Sequence, residues 1–236
     1  MASSPGTGAP DLQFVLDILQ AQNGCAELQS WGAAALHNLT EESGAELRRE
    51  ALELGAWELV LAAMKQHAES PSVQECGLAA ISGFAKDAST RQKTSEASAV
   101  ALVAKAMKDF PAEGEVQRWG LAALGELLRH GEALPKQIVE TGSLDLALVA
   151  LQLHPGSAQV QAAGAALLGR FALLPRPPEV ATAGALTSAS LGLASLKDAD
   201  LQLTHEYDAS TRVVFDGPTW ERASLLGPAV VKKLPL

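Results

Sequence analysis

One phrase recurs four times along this chain, and any fold has to accommodate all four copies. Its fullest form runs from Val116 to Arg129, Val-Gln-Arg-Trp-Gly-Leu-Ala-Ala-Leu-Gly-Glu-Leu-Leu-Arg; the other copies begin at Leu28, Val73 and Val160. The starts lie 45, 43 and 44 residues apart. A fixed period of that size marks stacked helical units, each burying its apolar face against its neighbours, rather than one closed globule. Length alone therefore says nothing about domain count.

Numbered from its first residue, each copy reads as a long helix. With about 100° per residue, positions 1, 5, 8, 9 and 12 share one face, and these are Val or Leu, Gly, Ala or Leu, Leu or Ile, and Leu or Phe. That face is the predicted core. Aromatic residues make up only 4% of the chain against 47% apolar, so the interior is expected to be built mainly from Ala, Leu and Val. Position 5 is Gly in every copy: Gly32, Gly77, Gly120 and Gly164. A glycine inside a helix costs about 1 kcal/mol relative to alanine. Four in register predict a place where backbones pass too close for a methyl group.

The chain before and between the copies is equally regular. Residues 1–10, rich in Gly and Pro, read as a disordered lead-in. A first helix runs over 11–22, with Asp11 as N-cap and Leu12, Val15, Leu16 and Leu19 on one face, and breaks at Asn23-Gly24. Each later unit then shows a short, a medium and a long helix. The short helices end at Gly55, Ser98 and Gly142, each 18 residues before the long helix, and the medium ones end at His67, Phe110 and His154, each 6 before it. The short helix of the third unit is placed at 90–98, and that of the first unit is missing. A faint fifth start lies at 179–203. The array spans 11–200, and 201–236 abandon the pattern. That tail reads as an irregular cap, a strand pair turning at Asp216-Gly217, a docking peptide, or a segment disordered when alone. The array is either complete with unusual ends or a piece of a longer one.

The motif Val-Gln-x-x-Gly-x-Ala-Ala-Leu-x-x-Leu, with Glu-Thr-Gly-Ser-Leu at 140–144, resembles the armadillo repeat family over about residues 11–175. The resemblance implies an all-α fold, a right-handed superhelical solenoid of about four three-helix repeats with an irregular C-terminal tail. It also implies a non-catalytic protein-interaction module or scaffold that takes an extended peptide or helix along a groove lined by the third helices. Nuclear-import receptors of the family carry Trp at position 7 and Asn at position 11. Here position 7 is always Ala, and only Asn38 keeps the Asn, so import-signal binding is not expected.

The face opposite the core is centred on positions 3, 7, 10 and 14, with 11 at its edge. Position 7 is a ladder of Ala34, Ala79, Ala122 and Ala166. Around it stand Asn38, Glu75, Lys86, Arg118, Glu126, Arg129 and Arg170, the candidate partner-binding residues. If they line a groove, it favours a peptide of mixed or acidic charge over the later units, with Arg118, Arg129 and Arg170 forking onto carboxylates. The competing reading is a solvated helix face. Trp31 and Trp119, at position 4, are expected to pack between units.

Other chemistry finds little support. A net charge of -9 argues against an electrostatic grip on nucleic acid. The five histidines show no metal-ligand spacing, and His67 and His154 recur at one joint, which suggests capping or packing. Cys76 replaces the Trp of its copy and reads as a reduced core residue. No nucleophile, phosphate loop or acid–base set is brought together by the period, so neither an enzyme nor a metal or other cofactor is expected. The chain start lacks an apolar run and its first basic residue is Arg48, and no membrane span appears, so the expectation is a cytoplasmic protein, with the nucleus also open to it. Two other readings remain: a structural element that self-associates through its array ends, and the regulatory arm of a larger enzyme such as a kinase.

Overall fold

The computed structural model describes residues 11–86, 97–129 and 134–172. What the sequence suggests for the lead-in, for most of the 90–98 helix, for His130 and for everything beyond residue 172, the faint fifth start and the tail included, lies outside the described residues. Among the described residues every regular element is helical: α1 (Leu12–Ala21), α2 (Ala26–Glu53), α3 (Ala56–Gln66), α4 (Pro71–Ala85), α5 (Ala97–Asp109), α6 (Gly114–Leu128), α7 (Leu134–Glu140), α8 (Ser143–Leu153) and α9 (Ala158–Ala172). The four copies of the repeated phrase lie in α2, α4, α6 and α9.

Local signals explain the boundaries. Asp11 caps α1 by accepting from the Gln13 N–H at 2.9 Å. Ser70 does the same for Val73 on α4, and Pro71 stands where its missing N–H has no helical partner to lose. Gly55 and Gly142 take left-handed φ values of 85° and 69° and turn the chain from short to medium helix. Ser98, expected to do the same, lies inside α5. No non-glycine residue among those described has positive φ, so that joint is built differently. α2 joins the first long helix to the next short one, and Gly44, at φ 80° and ψ -158°, breaks the rod between them.

Packing follows the repeat. α2 lies against α4, α4 against α6, and α6 against α9, while α1, α3, α5 and α8 pack on the long helices that follow them. Position 9 supplies Leu36, Ile81, Leu124 and Leu168, all without exposure. Position 6 is buried as well, as Ala33, Leu78, Leu121 and Ala165, and so are Thr40, Ala85 and Leu128 at position 13. In α4 every residue from Cys76 to Ala85 is buried. The long helices are thus covered on the core side and on their flanks by neighbouring long helices, as a helix apolar all round must be.

Each repeated glycine meets a side chain of the preceding medium helix. A Cβ at Gly32, Gly77, Gly120 or Gly164 would stand 2.6, 2.4, 2.5 or 2.7 Å from Leu19, Met64, Met107 or Leu151. The crowding expected there is present, but its source is a packed side chain rather than a second backbone. Those same four residues offer their carbonyls to the glutamine at position 2. Gln29, Gln74, Gln117 and Gln161 each donate from Nε2 to that carbonyl and to the one three residues later, at 2.8 to 3.1 Å. One amide therefore satisfies two of the carbonyls that the end of a helix leaves without partners.

Candidate functional site

The candidate residues fall on the long helices, and the stacking of those helices decides which of them meet. Over the first two units the face is closed. Ala34 and Ala79 have no exposure. His37, at position 10 of α2, donates from Nδ1 to the Ala79 carbonyl on α4 at 2.9 Å, since a carbonyl can only accept. The Trp119 ring of α6 meets the His37 imidazole edge-on at 4.7 Å between centroids. Burial, partly offset by the nearby Glu41 carboxylate, lowers the His37 pKa from 6.5 to about 4, so the imidazole is neutral at ordinary pH. Over the later units the ladder opens: Ala122 and Ala166 are partly exposed.

The charged candidates pair within the chain. Lys86, which caps the C-terminus of α4, reaches Glu41 on α2 at 2.6 Å. Arg170 on α9 donates from Nη1 to Glu126 Oε1 at 2.8 Å, and Arg129 donates from Nη1 to Glu126 Oε2 at 3.1 Å. Glu126 itself is only 2% exposed. Arg118 is buried, with Nε and Nη2 both on Glu115 Oε2 and its guanidinium 4.1 Å over the Trp119 ring. Glu75 is half-buried, and its pKa is raised by that burial and by Glu115, while Arg118 pulls it back. Asn38 is partly exposed. The set does not form one cluster: Glu126, Arg129 and Arg170 stand together, Lys86 meets Glu41, and Glu75 lies near Arg118 and Glu115.

Sequence reasoning did not assign roles to Glu115, Glu41 and His37. The signal for Glu41 was available, because it and Lys86 share position 14 one period apart with opposite charge. Trp119 does pack between units, whereas Trp31 meets Phe14 of its own unit, edge-on at 6.1 Å. His67 and His154 tie joints together, donating from Nε2 to the carbonyls of Asn23 and Pro111 one period earlier at 2.6 and 2.8 Å. Cys76 is buried, which pushes its thiol pKa up to about 12. Among the described residues no group of His, Cys, Asp and Glu is placed to hold a metal ion, and no helix is long and apolar enough to cross a membrane.

No curated protein and no solved structure matches the chain. The family described as LRRK2 ARM repeat matches residues 12–164, which takes in the first three copies and the start of the fourth. Armadillo repeats in general mediate protein interactions and are without catalysis of their own. Position-5 glycines seated on a preceding helix, position-2 glutamines closing that helix, and this match agree on one conclusion: the chain belongs to the armadillo repeat family.

Proposed function

We propose that the chain is a non-catalytic interaction module, a right-handed superhelical array of about four repeats that binds an extended peptide or a helix on its long-helix face. One observation carries the reading. The face is sealed over the first two units, where Ala34 and Ala79 have no exposure, and open over the last two, where Ala122 and Ala166 remain partly exposed beside Arg129 and Arg170. A floor of methyl groups lets a partner backbone approach closely, and a surface already packed in place orders the partner at little cost to itself. No large apolar side chain is needed on that floor. The exposed ones among the described residues, Leu54, Val149 and Leu153, lie on other helices or outside the repeated phrase.

The test is affinity capture from a cell lysate with the native chain and with Ala122→Arg and Ala166→Arg, which block the floor at partly exposed positions. A protein held by the native chain and lost by both folded variants supports the reading. If both variants retain everything the native chain holds, the open face is only solvated. The match to the LRRK2 ARM repeat family favours a second reading, in which the array is the regulatory arm of a larger enzyme such as a kinase. A catalytic chain co-purifying with it would support that one.

A further inference from the structure

Glu126 carries two guanidinium groups with one carboxylate. Both donate to it through Nη1 alone, although a guanidinium offers five N–H donors in a planar fork. Among the described residues, Nε and Nη2 of Arg129 and of Arg170 meet no other acceptor, and the side chains are 45% and 28% exposed. Among the described residues two cations face one anion here, a formal charge of about +1, in a chain whose net charge is -9. The guanidinium of Arg170 passes close over Gly125, where a Cβ would stand 3.1 Å from Nη1 and would oblige the side chain to shift by a few tenths of an ångström. Ala122 stands four residues before Glu126, and Ala166 four before Arg170, so the open methyl groups lie on the same helix faces as the charges.

We infer that the junction of α6 and α9 is a subsite for an acidic peptide. A glutamate or aspartate side chain of the partner accepts from Nε and Nη2 of Arg129 and Arg170, while the partner backbone lies over Ala122 and Ala166. The inference rests on the interaction reading above and narrows it to one junction and one partner chemistry. Arg118 is not part of the site, because Glu115 and the Trp119 ring already engage its guanidinium. Glu126 acts as a built-in competitor, since its carboxylate holds the same two cations that the partner's must share.

That competition sets the test. The full-length chain is titrated at low salt with a short labelled peptide of alternating glutamate and alanine, and with its glutamine counterpart, by fluorescence anisotropy. The glutamate peptide binds and the glutamine peptide does not. Arg129→Gln and Arg170→Gln each weaken binding by about fivefold or more, and Glu126→Gln, which frees both cations, tightens it by about fivefold. A merely structural ion pair predicts the reverse for Glu126→Gln. Equal binding of the two peptides, or a folded Glu126→Gln that binds no better, overturns the assignment. So does indifference to Arg129→Gln, whose half-exposed side chain can be changed without unfolding the array. Self-association that the peptide competes away would seat a second copy's carboxylate here and also overturn it. If Ala166→Arg abolishes capture of a partner while the peptide ignores both arginines, the interaction module stands and the acidic subsite falls.

Discussion

Gly120→Ala isolates the steric argument for the repeated glycine, because two opposing effects have to be weighed. Alanine in a helix interior is worth about 1 kcal/mol over glycine. If the site had room, the variant would gain that much. Its Cβ, however, would lie 2.5 Å from Met107 Cγ and 2.8 Å from Sδ, where carbon contacts settle at about 3.5–4.0 Å. Met107 is 1% exposed, and its carbonyl is held by Gln117 at 2.8 Å, so neither the side chain nor the helix is free to withdraw. Overpacking of this kind costs about 1–3 kcal/mol. The balance is a loss of about 1 kcal/mol for alanine, and more for Gly120→Val, whose branched Cβ adds two methyl groups. Met107→Ala alone opens a cavity and costs about 2–5 kcal/mol. In the double variant the new methyl occupies part of that cavity, so the two changes cost less together than their sum by about 1 kcal/mol. Urea and thermal unfolding of the native chain, both single variants and the double variant measure all of this. A stabilised Gly120→Ala, or strict additivity, would refute the packing account.

Three further outcomes follow from groups held inside the fold. Gln117→Leu removes the donor shared by the Met107 and Phe110 carbonyls and is expected to cost about 2 kcal/mol in unfolding experiments; an unchanged midpoint would remove the clamp from the argument. His37 is neutral when folded and titrates near 4 rather than 6.5. Its contribution to stability is therefore complete above the higher value and falls as pH drops through that window, by about 3 kcal/mol, and melts of His37→Gln against pH should lack this slope. Cys76, with its thiol pushed up to about 12, should resist a thiol reagent in the native chain while the partly exposed Cys25 reacts. Equal rates under native conditions would contradict the buried placement.

The parts of this fold that were legible are those that each copy must solve in the same way. A glycine or a glutamine at one position in four copies faces the same local problem four times, so recurrence alone exposes it. The charges differ, because each answers to a neighbour in the next copy, and the stagger between successive long helices decides whether the two meet. Opposite charges at one position in adjacent copies do identify candidate pairs: Glu75 with Arg118 at position 3, Glu126 with Arg170 at position 11, and Glu41 with Lys86 at position 14. Two of these close, at 2.8 and 2.6 Å. In the first, Arg118 turns instead to Glu115, three residues back on its own helix, at 2.5 Å, and its guanidinium lies over Trp119. A partner one helical turn away is held by the same backbone, whereas a partner one repeat away depends on packing, so the local acceptor prevails when both are present. Arg170, on α9, pairs with no carboxylate on its own helix among the described residues, and so it crosses to Glu126, where Arg129 already binds. The excess positive charge that the described residues place at that junction is thus a product of two rules that each copy obeys separately. It becomes visible only when the copies are stacked.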